Sequence, residues 1–370
     1  MGTLIKGPIQ DFFGTMGKFE YYIVGVGKPW ISSPNPGYGY TTTGSEDGIT
    51  WVNQQRPLYN DSPMDKQWNS VEYSRGLRLF AATSSFSIDA NNPYNMIMTS
   101  SNGKNWSGVT LTTHEDNNLW YDIVWSPELK MFAAIGRGLD SSSAWTKIGI
   151  VTSTDGITWT DRTFAGDGVQ ILFPTAICWS KSLSLFVGVG SVVGGPYGAH
   201  TGEMDIYRSS DGITWTAHNS GVTGTWLDVI WSPELSLFVA IGGGVIYNVM
   251  TSPDGITWTN RNISSSLSPN SICWSKTNNM FVAASQSNGT QNIMTSSNGI
   301  TWTKRTTSDS TRDYQRVIWS ESLSLFIAAA QKDLISGNYR NTAIMTSPNG
   351  TTWTNRTGPN EIVVNYMVSR

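Results

Sequence analysis

Apolar residues in this chain recur in short runs at alternate positions, and the same two runs return along its length. One reads V/I-x-W-S, and after a short turn the other reads L-F-V/I-A. The copies join Trp125-Ser126 to Phe132, Trp179-Ser180 to Phe186, Trp231-Ser232 to Phe238, Trp274-Ser275 to Phe281 and Trp319-Ser320 to Phe326, with Tyr73-Ser74 and Phe80 as a diverged sixth. Seven residues separate aromatic from Phe every time, so two strands and the turn between them are copied as a unit. A variable stretch follows, then a third strand such as Asn292-Ile293-Met294-Thr295, a glycine turn and a fourth strand. No segment shows the 3.6-residue period of a helix. The pattern predicts an all-β chain of blades, each with four short antiparallel strands.

The glycine turn has its own signature, S-x-(D/N)-G-x-x-W, which we call the box turn. Its tryptophans are Trp51, Trp106, Trp159, Trp215, Trp258, Trp302 and Trp353. Steps of 43 to 56 residues between them match one repeat unit each. Asp-Gly or Asn-Gly between two β-type runs is a strong hairpin signal, because Gly accepts positive φ and the Asx side chain caps nearby amides. The Asx positions are Asp47, Asn102, Asp155, Asp211, Asp254, Asn298 and Asn349. Asn at three of them keeps the oxygen and discards the charge. The turn therefore needs an acceptor and no anion, which argues against metal ligation or acid–base chemistry at these seven sites.

Seven box turns imply seven blades, a seven-bladed β-propeller. The N-terminal region supplies the strand around Tyr21–Gly25 and the first box turn, while the run Ile362–Met367 has the character of an innermost strand with nothing after it. One blade is thus expected to be closed by both ends of the chain, which hides the sheet edges. The predicted blades are 19–53 with 361–370, then 67–108, 117–161, 171–217, 225–260, 267–304 and 313–355. Residues 1–18 are left as an arm or an extra strand, 12–18 being the alternative source of the inner strand.

Composition narrows the function classes. At 370 residues with 14% charged positions and a net charge of −3, without a basic run, the chain lacks the electrostatic footprint of a nucleic-acid or anionic-membrane partner. No apolar stretch approaches the roughly 20 residues of a membrane span, so no membrane insertion is expected. Residues 1–18 do not read as a conventional signal peptide, so an extracellular or virion site would be reached by another route. The two cysteines, Cys178 and Cys273, share the phrase Ile-Cys-Trp-Ser two blades apart, beyond disulfide reach, and read as small buried residues. The three histidines have no metal-ligand spacing, and neither a metal nor a cofactor is expected.

The box turns resemble the Asp-box, or BNR, repeats of propellers in sialidases, sortilin-type receptors and photosystem assembly factors. The form W-S, L-F-V-A, M-T-S-x-(D/N)-G-I-T-W-T is similar to propeller repeats of phage and large-virus proteins. The resemblance runs from about residue 19 to the end, and it implies a propeller with its box turns on the outer strands, away from the ligand face. A sialidase would need an arginine triad, a Tyr/Glu pair and an acid/base Asp. The F/Y-R-I-P phrase of that family does not occur. Arg162, Arg261, Arg305 and Arg356 each follow a box tryptophan by three residues and belong to the repeat. Arg137, Arg312, Arg316 and Arg340 remain near candidate loops, with Glu72, Glu115 and Glu203. No catalytic residue is assigned.

Seventeen tryptophans less seven in box turns and five in W-S strands leave Trp30, Trp68, Trp120, Trp145 and Trp226. Trp68, Trp120 and Trp226 each stand five residues before the W-S aromatic, where the other blades have Pro174, Pro269 and Tyr314. Two residues later come Asp122, Asp228 and Arg316. Two readings compete at this position: the aromatics cap the core, or they form a ring for sugar stacking or peptide binding. Trp30, Trp145, Tyr197 and Tyr339 lie in variable loops, where recognition usually resides. The expected function is non-enzymatic: a recognition or structural module, virion-associated or extracellular, that binds a glycan, a protein or other virion subunits through its loop-bearing face. A cellular assembly scaffold and a sialidase-like glycosidase are the alternatives.

Overall fold

The computed structural model describes residues 23–29, 41–54, 57–59, 62–63, 66–87, 97–109, 111, 119–138, 147–164, 173–191, 204–222, 224–243, 249–261, 263, 268–286, 292–307, 312–333, 342–359 and 362–370. Among them there is no helix. Seven blades of four antiparallel strands form a ring, and the closing blade takes its innermost strand, Ile362–Ser369, from the C-terminal end. That strand pairs with Ile23–Pro29, which pairs with Thr42–Ser45 and then Val52–Asn53. We number the closing blade 1 and the rest 2 to 7 in chain order.

The other innermost strands are Lys66–Ser74, Leu119–Ser126, Phe173–Ser180, Thr225–Ser232, Ser268–Ser275 and Arg312–Ser320. Each contacts the innermost strands of the blades on either side, so together they wall a central channel. A single backbone pair, Ser191 with Thr225, links blades 4 and 5 into one continuous sheet. Two features lie outside the repeat: a small hairpin at Leu58–Tyr59 and Ser62–Pro63 against blade 2, and Thr163–Phe164 running parallel to the outer strand of blade 4.

Inside each of blades 2 to 7 an aromatic stack ties inner strand to outer turn. In blade 3 the Trp125 and Phe132 rings are 4.7 Å apart, and Phe132 lies 6.2 Å from Trp159. The fixed seven-residue spacing is explained by register, because Trp125 and Phe132 face each other across the strand pair. The hydrophobic cores lie between blades: Ala81 and Ile97 of blade 2 pack with Trp120, Ile123 and Phe132 of blade 3.

The box turns are built as the Asp/Asn exchange implies. Each Asx Oδ1 accepts the amide hydrogens two and three residues on, and the Ser hydroxyl donates to it while accepting the Gly N–H in six of the seven. The amide contacts to Asp155 and Asp254 are 2.7 Å and those to Asn102 and Asn298 are 2.9 Å, the shortening expected of charge assistance. Burial alone would push the carboxyls of Asp47, Asp155, Asp211 and Asp254 up, but these amide and hydroxyl donors hold them below the ordinary value. The box glycine also seats the turn on the preceding blade. Gly156 has φ +77°, and a Cβ there would lie 2.5 Å from Leu79 of blade 2.

Candidate functional site

The channel wall is shaped by one irregularity repeated seven times. Every innermost strand carries a β-bulge or register shift at the same level: between Trp68 and Ser70, Trp120 and Asp122, Pro174 and Ala176, Trp226 and Asp228, Pro269 and Ser271, and Tyr314 and Arg316, and opposite Val26/Gly27 in blade 1. A bulge leaves one residue unpaired and re-aims its neighbours. In blades 2, 3, 5 and 7 the large aromatic at this level is buried, and in every blade a polar side chain beside the irregularity reaches the next blade.

The result is a belt of hydrogen bonds crossing all seven junctions. Asn365 Nδ2 donates to the Trp68 carbonyl (2.8 Å), and Ser70 Oγ donates to Asp122 Oδ1 (2.6 Å). Asp122 Oδ2 accepts from Ile177 N (2.8 Å), and Thr175 Oγ1 donates to the Trp226 carbonyl (2.7 Å). Asp228 Oδ2 accepts from Ile272 N (3.0 Å), Ser271 Oγ accepts from Val317 N (3.2 Å), and Arg316 Nε donates to the Asn365 carbonyl. Asp122 and Asp228 are thus inter-blade staples. Burial pushes both carboxyls up, Asp228 to about 7, against the pull of their donors and of Arg316.

Trp68, Trp120, Trp226 and Tyr314 all have 0% exposure, which corrects their candidacy as a stacking ring: their faces are spent on the core. Trp226 is further held by its indole N–H donating to Asp205 Oδ2 (3.2 Å), and Asp205 also takes the N–H and hydroxyl of Ser220. Asp205 stands at the third-strand position that Asn292 holds in blade 6, and it is the one acid among the seven copies, a departure that the repeat phrase does not display. Trp30, Trp145, Tyr197 and Tyr339 lie outside the described residues. Cys178 and Cys273 are free and buried.

Below the belt, towards the turns that follow W-S, lies a cavity of about 300 Å³. Its charged lining is Glu72, Asp228 and Arg316, with the Tyr366 ring beside them. The guanidinium carbon of Arg316 stands 4.6 Å from the Tyr366 ring centroid. Glu72 sits one residue before Tyr73 on the innermost strand of blade 2, away from the loops where sequence alone had put it. Part of its surface stays open to the channel, yet the surrounding protein desolvates the carboxyl. Its pKa is pushed up to about 8, with nearby Asp122 adding to the rise and the Tyr73 amide opposing it. Among the described residues no group of three or more His, Cys, Asp or Glu is placed to hold a metal.

No family model and no curated protein sequence matches this chain. Solved propellers do. One, YCF48 bound to D1 peptide, superposes with a TM-score of 0.56 at 14% identity, covering 88% of each chain. The GH74 xyloglucanase from Xanthomonas campestris gives 0.55 at 10% identity, over 78% of this chain and 45% of that one. A streptogramin B lyase gives 0.57 at 8% identity, over 80% and 84%. At such identities the likeness shows the seven-bladed propeller fold, which hosts a peptide-bound protein, a hydrolase and a lyase alike.

Proposed function

We propose that this protein is a non-enzymatic recognition propeller that engages a protein partner through the face bearing the second-to-third-strand connections. The observation that carries this reading is how the repeat's chemistry is used. The box carboxylates cap their own turns, the belt acids staple neighbouring blades, and the recurrent aromatics fill the core. What the scaffold leaves over lies in variable connections, with Trp30, Trp145, Tyr197 and Tyr339 among their residues. The peptide-bound YCF48 propeller supports a protein ligand for a fold of this shape. A glycan is the second reading, favoured by those same aromatic side chains.

The test is a displayed-peptide selection run beside a glycan array, followed by affinity measurements on Trp30→Ala and Trp145→Ala. Enriched peptides whose binding falls at least tenfold in either variant, with unchanged melting temperature, support the proposal. Glycan signal without peptide enrichment favours the second reading. Turnover of a fluorogenic sialoside or of xyloglucan would overturn the non-enzymatic assignment.

A further inference from the structure

The channel wall contains two side chains that break the repeat. At the position just before the W-S aromatic, six blades carry Val124, Cys178, Ile230, Cys273, Ile318 and Met367, whereas blade 2 carries Glu72. At the belt position Arg316 is the only basic residue, where the others are Ser70, Asp122, Ala176, Asp228, Ser271 and Asn365. Both line the same cavity. Their situations differ. Arg316 is engaged by the Asn365 carbonyl and the Tyr366 ring and balanced by Asp122 and Asp228. Glu72 makes one hydrogen bond among the described residues, from the amide of its neighbour Tyr73.

We propose that the turn-end half of the channel is a binding site for one primary ammonium group on an apolar stem, with Glu72 as its counter-ion. Glu72 and Asp228 line the cavity with Arg316, and Asp122 lies near enough to Glu72 to oppose its ionisation; Arg316 is already taken up by the belt, so among the described residues Glu72, once ionised, has no cation to itself. A cation brought to Glu72 repairs that deficit without disturbing the belt. The remaining lining suits a stem: Ile230, Ile318, Met367 and Val368 supply aliphatic surface, and Trp274 and Trp319 supply aromatic surface. About 300 Å³ corresponds to roughly ten waters at about 30 Å³ each, ample for a five-carbon amine. A metal ion fits poorly, since one free carboxylate is too few ligands. The site lies at the opposite end of the channel from the loops and does not depend on the recognition reading above.

Protonation sets the pH dependence. Glu72 is faced by Tyr366 of blade 1, Asp122 of blade 3, Asp228 of blade 5, Cys273 of blade 6 and Arg316 of blade 7. Burial keeps it largely protonated in the empty channel near neutrality. Ammonium binding must ionise it, so affinity rises as pH passes about 8 and falls again as the amine loses its own proton near 10.4.

The decisive experiment is saturation-transfer NMR and calorimetric titration of the full chain at pH 8.5 with n-pentylamine, with its isostere 1-pentanol and with Nα-acetyl-lysine methylamide. We expect the amine to bind at least tenfold more tightly than the alcohol, and Glu72→Gln to abolish that preference. Binding by capped lysine identifies a partner's side chain as the natural source, and binding by the small amine alone identifies a free amine. Equal affinity for amine and alcohol in the unaltered protein overturns the proposal without recourse to a variant. Should Glu72→Gln fail to fold, Glu72→Met, which copies the Met367 of blade 1 at this position, serves in its place, and undiminished amine preference in either also overturns it.

Discussion

Replacing Asp254 separates the oxygen of the box turn from its charge. Asp254 Oδ1 accepts from Ile256 N and Thr257 N at 2.7 Å each and from Ser252 Oγ at 3.0 Å. Asp254→Ala removes all three, at about 0.5–1.5 kcal/mol per bond tempered by solvent access to the two amides, so a loss of about 2–3 kcal/mol is expected. Asp254→Asn keeps the acceptor and lengthens the contacts by about the 0.2 Å that separates the natural Asp and Asn boxes, for less than about 1 kcal/mol. With an unfolding entropy of about 2.1 cal/mol/K per residue, 3 kcal/mol in a chain of this length lowers the melting temperature by about 4 °C, within reach of scanning calorimetry. The acid limb gives the sign independently. Asp254 has a folded pKa below its unfolded one, so its extra stability is present above the unfolded value and disappears as pH falls through the folded value. Asp254→Asn should therefore gain on the parent protein at low pH. If Asn were as damaging as Ala at pH 7, the charge would be essential and the scaffold reading of the box turn would be wrong.

A glycine pair tests how the box seats on its neighbour: Gly156→Ala meets Leu79 at 2.5 Å as well as φ +77°, whereas Gly221→Ala has φ +71° and open space. The first should cost about 2 kcal/mol more than the second in denaturant unfolding. Trp226→Phe should cost about 1–3 kcal/mol by stripping a donor from buried Asp205, where a surface-stacking tryptophan would tolerate the change. Glu72→Gln should stabilise the ligand-free protein at pH 8–9, because an acid whose folded pKa is raised takes stability away as pH climbs from about 4.5 to about 8. Melting temperatures from pH 5 to 9 check this, and curves that stay parallel would contradict it.

The fold was legible because its signals are local and repeated. Strand alternation, the seven-residue W-S to Phe spacing and the Gly turns each report geometry within a single hairpin, and the Asp/Asn exchange already showed that the box needs an oxygen. The strand-ending run at 362–367 similarly announced the closing blade. The site was less legible because its geometry is set by the bulge. Counting back from W-S placed Trp68, Trp120, Trp226 and Tyr314 correctly at one level of the ring, but the register slip that buries them leaves no mark in period-two patterning. Asp122 and Asp228 were flagged as polar groups inside the ring, yet their partners, Ile177 N and Ile272 N, are backbone atoms that no motif reports. Glu72 stood out only as an acid the repeat did not explain. An aligned comparison of the seven W-S strands contains that signal, since six copies are apolar where it is charged.

On the proposed function, repeat-borne residues build the ring and the variable connections do the recognising. Hydrogen–deuterium exchange with and without a selected peptide tests it most directly. Protection is predicted in the second-to-third-strand connections, residues 88–96, 139–146, 192–203 and 334–341 among them, with exchange in the box turns unchanged. Protection centred on the box turns at 47–51, 155–159 or 254–258, with those connections unaffected, would place recognition on the repeat itself and contradict the proposed function.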